Sequence, residues 1–119
     1  MNKDDLKDRT KKFAHRCVKL AMSLPENALG KVIQYQLVKS STSVAANYRA
    51  VCVSQSKKTF IAKIGIVVEE IDETQFWIEF IMEEKLFDET KLKDLFNESN
   101  ELKSIFIASR KTAQKNNSS

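Results

Sequence analysis

The chain has 119 residues, of which 42% are hydrophobic and 30% are charged, and its formal net charge is +4. This length suits one domain with a modest core and is too short for two. The 2 glycines and 1 proline are too few for the frequent turns of a sheet protein, so the composition predicts a few long helices. No window approaches the roughly 18 consecutive apolar residues of a membrane span, and the charged N-terminus does not resemble a signal peptide. We therefore expect a cytoplasmic protein without membrane contact, in which Cys17 and Cys52 are free thiols.

The first predicted helix covers residues 4–24. Apolar side chains recur along it at helical spacing, at Leu6, Phe13, Cys17, Leu20 and Leu24. Proline cannot continue a helix but suits the first turn of a new one, so Pro25 marks the boundary to the next element.

The second predicted helix covers residues 26–54 and contains a run of four hydroxyl side chains, Ser40 to Ser43. An apolar stripe passes through this run without a phase shift, at Leu29, Ile33, Leu37, Ser40, Val44, Asn47 and Val51. Each hydroxyl can donate to a carbonyl one turn earlier, and the small side chains let a neighbouring backbone approach closely. We interpret the segment as one continuous helix, with a helix kinked at the hydroxyl run as the alternative. The position of Asn47 predicts a buried amide that is paired with a neighbouring helix.

The third and fourth predicted helices cover residues 57–86 and 89–114. Ser56 and Asp88 precede them, and both side chains can accept hydrogen bonds from free amides in a first helical turn. The third stripe contains Phe60, Ile64, Val67, Ile71, Gln75, Ile78 and Met82, and the fourth contains Leu92, Leu95, Phe96, Ser99, Leu102 and Phe106. A strand over residues 64–68 is the competing interpretation, but no turn residues flank it and the helical period continues through it. Residues 115–119 are expected to be frayed.

Short connections between consecutive long helices make neighbours antiparallel. The chain therefore predicts an all-α fold, an antiparallel up-down-up-down four-helix bundle that forms a single domain over residues 1–119.

Apolar side chains remain outside the core stripes of the second and third helices. A contiguous exposed apolar surface on this scale usually marks an interface. We therefore predict a homo-oligomer with contacts at Tyr35, Val38, Thr42, Ala45, Val53, Phe76, Trp77 and Phe80. The alternative is an irregular bundle that buries these side chains within one chain. Because the two patches lie on different helices, head-to-tail contacts that close into a ring are favoured over a dimer.

Charge is unevenly distributed, since the first helix is basic and the third is acidic. The candidate nucleic-acid-binding residues are Lys7, Arg9, Lys11, Lys12, Arg16, Lys19 and Arg49. A basic surface of this kind attracts RNA or DNA with a strong dependence on salt. The alternative is simple pairing between a basic first helix and a neighbouring acidic third helix. No aromatic-interleaved basic motif of an RNA-binding module is present.

Two stretches of the sequence carry a family resemblance. Residues 36–51 read QLVKSSTSVAANYRAV, and residues 56–80 read SKKTFIAKIGIVVEEIDETQFWIEF. Together with FAHRCVKLAMSLP at residues 13–25, they resemble the small proteins encoded within intervening sequences of bacterial large-subunit (23S) ribosomal RNA genes. The departures are Phe76 where tyrosine is usual, Lys39 where arginine is common, and Ala50-Val51 where Glu-Ala is typical.

The resemblance implies a left-handed four-helix bundle. Family members, and the similar accessory proteins of diversity-generating retroelements, assemble as rings that often contain five subunits, so the resemblance favours a pentameric ring. It implies no enzymatic activity, and association with nucleic acid is the role proposed for the family.

No constellation of residues in the sequence indicates an active site. The single histidine, His15, is two positions from Cys17, so these side chains project from different sides of a helix. A metal site built on the acidic cluster at residues 69–73 would need a matching acidic pair on the next helix, for which Glu98 and Glu101 are poor candidates. We expect no enzyme activity, no metal, no cofactor and no small-molecule substrate. Two hypotheses remain: a nucleic-acid-associated protein, or a scaffold that docks a protein partner.

Overall fold

The computed structural model describes residues 1–118, with side chains described through residue 116. It contains four α-helices, which are α1 (Lys3–Met22), α2 (Ala28–Cys52), α3 (Lys57–Glu83) and α4 (Glu89–Ser118). Helices α1 and α3 each pack against α2 and α4, and the backbones of α1 and α3 do not approach each other, so these two helices lie on a diagonal of the bundle. The elongated molecule measures 51 × 22 × 22 Å.

Contacts between helices show the direction of packing. Lys103 of α4 contacts Asp72 of α3, whereas Ser99, one turn earlier, contacts Gln75, so these helices are antiparallel. The connections between consecutive helices are short, which makes the remaining neighbours antiparallel as well. The prediction of an all-α four-helix bundle is confirmed for the described residues. The antiparallel contacts agree with the predicted up-down-up-down order, and the left-handed sense stays a prediction. None of the helices in the described residues is long and apolar enough to cross a membrane.

The boundary between α1 and α2 differs from the prediction by two residues on each side. Helix α1 ends at Met22, and α2 begins at Ala28 because the Asn27 side chain accepts a hydrogen bond of 2.8 Å from the Gly30 amide. Pro25 therefore lies in the loop before the cap, and not in the first turn of α2. The loop folds back so closely that a Cβ at Gly30 would overlap the Pro25 carbonyl oxygen.

The later boundaries follow the predicted caps. Ser56 Oγ accepts from the Thr59 amide at 3.1 Å, and Asp88 Oδ1 accepts from the Thr90 amide at 2.8 Å. Helix α3 ends at Glu83, three residues before the predicted end, and Lys85 follows in the left-handed region with φ of 54°. Helix α4 continues to Ser118, four residues past its predicted end, and residue 119 lies outside the described residues. The fraying of residues 115–119 stays a prediction.

The four helices enclose one apolar core along the predicted stripes, except that near the end of α3 the fully buried residue is Ile81 and not the predicted Met82. The largest side chains that are fully buried in it are Phe13, Phe106, Ile33, Leu37, Ile64, Ile71, Ile78, Ile81, Leu92 and Leu102. The prediction for Asn47 is wrong. It is half-buried, and its Nδ2 donates to the carbonyl and the Oγ of Ser43 within α2, both at 2.9 Å. The next residue, Tyr48, takes the core position and packs against Phe106 with ring centroids 5.4 Å apart.

A layer of polar contacts crosses the middle of the core. Ser40 Oγ lies 3.0 Å from Thr74 Oγ1, which links α2 to α3, and both residues are fully buried. Gln75 Nε2 donates to Ser99 Oγ at 3.0 Å and to Asn100 Oδ1 at 2.6 Å, which links α3 to α4. The hydroxyl run therefore lies within one continuous helix, as predicted, and its small side chains let α3 approach.

Candidate nucleic-acid interface and exposed aromatic surface

The two arginines of α1 are held by carboxylates of α4. Arg9 donates to Glu98 through Nε at 2.7 Å and Nη2 at 2.6 Å, and Nη2 also reaches Glu101 at 3.2 Å. Arg16 Nη2 donates to Asp94 at 2.6 Å. The hydrogen bonds that Arg9 donates to Glu98 are the main reason why the pKa of Arg9 is raised above its usual value. The predicted pairing of α1 with the acidic helix α3 is wrong, because α1 and α3 lie on a diagonal and the partners belong to α4.

The lysines of α1 point outward in several directions. Lys12 pairs with Asp8 at 2.9 Å, and Lys7 approaches Asp4 at 4.0 Å, both within α1 and both largely exposed. The remaining predicted residues, Lys11, Lys19 and Arg49, are exposed and form no ion pair with any described residue. Only some of the predicted basic residues are therefore outside intramolecular ion pairs and able to contact an external partner.

Glu98 and Glu101, the acidic pair considered for a metal site, contact Arg9 instead. Within the described part of the chain, no group of three or more His, Cys, Asp or Glu side chains is arranged to hold a metal ion.

A second basic surface, which the sequence analysis missed, lies where α3 begins and α4 ends. We call it the basic end, and it consists of Lys57, Lys58, Lys63, Arg110, Lys111 and Lys115. The antiparallel packing of α3 and α4 brings these residues to one end, and Arg110 lies beside Gly65. None of them forms an ion pair with another described residue. The sequence feature that could have predicted this surface is the lack of acidic residues, since no Asp or Glu occurs between Glu26 and Glu69 or after Glu101.

Three aromatic side chains form an exposed cluster on α3, which we call the aromatic surface: Phe76, Trp77 and Phe80. Phe76 is 51% exposed and packs edge-on against Trp77 with centroids 4.9 Å apart, and Phe80 lies about 6 Å from both rings. Trp77 and Phe80 are half-buried against the core, and Trp77 Nε1 is buried with no hydrogen-bond acceptor in the described structure. The predicted surplus of apolar side chains on α3 is therefore present on the surface.

The predicted contacts on α2 separate into two places. Val38 and Ala45 are half-buried and flank Ser41, which lies close to Cys17 of α1, so they lie on the α1 side of α2. Tyr35 and Thr42 are exposed on the same part of the helix, and Tyr35 and Val38 line a surface depression of about 450 Å³. We call these four residues the α2 patch. Val53 is 74% exposed but caps the end of α2, about 20 Å beyond Ser40 at 1.5 Å per residue. It therefore lies at the same end of the bundle as the basic end.

Comparison with known proteins agrees with this architecture. A crystal structure of a protein of unknown function from the S23 ribosomal protein family of Bacteroides thetaiotaomicron VPI-5482 superposes with a TM-score of 0.82. The two sequences are 30% identical, and the match covers 89% of this chain and 98% of that chain. No curated protein matches the chain. The family model for the 23S rRNA-intervening sequence protein matches residues 3–108, as the resemblance of the two quoted stretches predicted. On this match over most of its length, the chain belongs to the 23S rRNA-intervening sequence protein family.

Proposed function

We propose that this protein is a non-catalytic, self-associating protein that binds RNA through the basic end and the unpaired basic residues nearby. The observation that carries the proposal is the segregation of charge along the hairpin of α3 and α4. Of the 16 acidic residues, 12 lie between Glu69 and Glu101, in the hairpin of α3 and α4. At the opposite end of that hairpin all the charged side chains are basic, and the whole of α2 has no acidic residue.

A surface with one sign of charge attracts a polyanion and releases its counterions on binding. RNA is favoured over DNA by the family description, which refers to an intervening sequence of 23S rRNA. Arg9 and Arg16 form ion pairs that connect α1 to α4, so they are less suited to contact RNA. We therefore assign the interface to the basic end and not to these two residues.

Titration of a labelled structured RNA tests the proposal, with fluorescence anisotropy at two salt concentrations. The test variant combines Lys57→Glu, Lys58→Glu and Lys111→Glu. A matched control reverses the same charge at the acidic end, with Lys85→Glu, Lys91→Glu and Lys93→Glu. We expect the test variant to weaken binding by about 10-fold or more and to reduce the salt slope by up to about 3, with a smaller effect from the control. Absence of binding by the natural chain at low salt would refute RNA binding and leave the scaffold hypothesis.

Self-association is the second part of the proposal, and it rests on the two separate apolar patches. Contact between two different patches is the head-to-tail geometry that closes into a ring, and a pentamer is what the resemblance implies. The protruding ring of Phe76 on one subunit suits the depression beside Tyr35 and Val38 on the next. The two patches lie at the same height along the bundle. Ser40 of α2 contacts Thr74 of α3, Val38 lies two residues from Ser40, and Phe76 lies two residues from Thr74.

Substitutions that place a charge in the contact test this assembly. Val38→Arg or Phe80→Arg would bury an unpaired charge between subunits, so we expect soluble monomers. Ile66→Arg serves as the control, because Ile66 is an exposed apolar residue of α3 outside the aromatic surface. Light scattering at micromolar concentration measures the size. A monomeric natural chain would refute self-association, whereas a stable dimer would refute the ring alone.

A further inference from the structure

Helix α4 extends past the start of α1. Contacts of Arg9 with Glu98 and Glu101 set the two helices side by side, and Lys3, the first residue of α1, reaches the level of Ile105. The residues of α4 beyond this level have no α1 alongside them over roughly 18 Å, at 1.5 Å per residue. Most of this extension lies outside the family match, which ends at residue 108.

The uncovered side of α4 forms one wall of a groove of about 740 Å³. The wall consists of small side chains, among them Ala108, Ser109 and Thr112, and the floor contains Phe60. A second space of about 250 Å³ shares Lys3, Phe60 and Ser109 with the groove and extends it toward the core. The main space has the size of sites that hold small ligands, which are roughly 300–1,000 Å³.

The charges that line the groove are all positive. Lys3 and Lys57 line its edge, neither of the two spaces is lined by Asp or Glu, and Lys111 and Lys115 lie on the adjoining turns of α4. An aromatic floor between ammonium groups suits a planar base that is joined to phosphates, because bases stack on aromatic rings and lysines contact the backbone. Paired bases within a duplex have no free face to stack in such a groove.

We infer that this groove binds a single-stranded segment of nucleic acid, with one unpaired base stacked on Phe60 and the flanking phosphates at Lys3 and Lys57. The inference rests on the proposed function and assigns to it the form of nucleic acid that this end of the molecule recognises. The acidic end of a second copy also matches the charge of the groove, and the test below distinguishes this occupant from a nucleic acid.

The test compares labelled oligouridylate and oligothymidylate of about 12 nucleotides with a duplex of similar length. Phe60→Leu keeps an apolar side chain against the core and removes the aromatic face. The pair Ala108→Leu and Thr112→Leu fills the groove without a change in charge, and both positions are exposed. The pair Asn97→Leu and Ser104→Leu is the control, since it adds the same side chains at exposed positions of α4 outside the groove.

We expect both groove variants to bind the single strands about 10-fold more weakly and to bind the duplex as the natural chain does, with the control unchanged. Equal losses for both oligonucleotides assign the site to single strands of either sugar, and a loss for oligouridylate alone assigns it to RNA. Undiminished single-strand binding by both groove variants would overturn the inference and leave the proposed function in place. A natural chain that binds neither single strands nor duplex would overturn both. A salt-sensitive assembly lost in the groove variants, with oligonucleotide binding intact, would assign the groove to a second copy instead.

Discussion

The α1–α2 loop lies close to Gly30. Replacement by alanine is therefore expected to have opposite effects on stability at the two glycines of the chain. Both lie within helices, so alanine at either position gains helix propensity, about 0.5–1 kcal/mol. At Gly65 a new Cβ would have Arg110 Nη1 as its nearest neighbour at 3.9 Å, which is an ordinary contact with a flexible side chain. Gly65→Ala should therefore stabilise the protein by about the propensity gain.

At Gly30 the same Cβ would overlap the backbone of Pro25 and lie 3.2 Å from Asn27 Oδ1. The loop must shift, and the shift weakens the hydrogen bond by which Asn27 caps α2 at 2.8 Å. Loss of a cap costs about 1 kcal/mol, and forcing atoms into a packed region costs about 1–3 kcal/mol. After subtraction of the propensity gain, we expect Gly30→Ala to lower the free energy of unfolding by about 1–3 kcal/mol.

Urea unfolding followed by circular dichroism at 222 nm measures both variants, at one protein concentration because assembly would add to stability. The expected result is a lower urea midpoint for Gly30→Ala and a higher one for Gly65→Ala, with unchanged slopes. In thermal unfolding the difference corresponds to roughly 4 °C per kcal/mol. Two variants that shift in the same direction, or a Gly30→Ala variant as stable as the natural chain, would refute the close approach of the loop.

Two further predictions concern buried and exposed charges. Burial raises the pKa of the Cys17 thiol from 9.0 to about 12, so between these pH values the unfolded chain loses a proton that the folded chain keeps. The free energy of unfolding should fall as pH rises through this window, by up to about 1.4 kcal/mol per pH unit, and Cys17→Ala should flatten the slope of urea midpoint against pH. Among the α1–α4 ion pairs, Arg9→Met should cost about 1–2 kcal/mol because it strands Glu98, whose side chain is only 18% exposed. Arg16→Met should cost less than about 1 kcal/mol because Asp94 is 78% exposed, and melting temperatures in the reverse order would contradict this reasoning.

The helices and their caps could be predicted from the sequence because their causes are local. Ser56 and Asp88 bond to amides two or three residues away, and the helical period places Gln75 and Ser99 on core stripes whatever the neighbouring helices are. The same period predicted the hydroxyl run as part of one helix. The family resemblance rested on these local patterns as well.

At Asn47 the local sequence pattern was not sufficient to predict which residue faces the core. Asn47 and Tyr48 are adjacent in sequence, and either fits the stripe after Val44, since side chains three and four residues apart share a face. The choice depends on Phe106 of α4, which provides a partner for the tyrosine ring. A contact between positions so far apart in the chain has no signature in either segment alone.

The distribution of charge was decided in the same way by the tertiary structure. The sequence alone determined which segments are basic and which are acidic, because a count of residues needs no coordinates. It did not determine which of them are neighbours. Packing on a diagonal separates α1 from α3 and directs Arg9 and Arg16 to α4. Antiparallel packing then brings the start of α3 and the end of α4 together as the basic end, because electrostatic interactions depend on distance in space and not on separation along the chain.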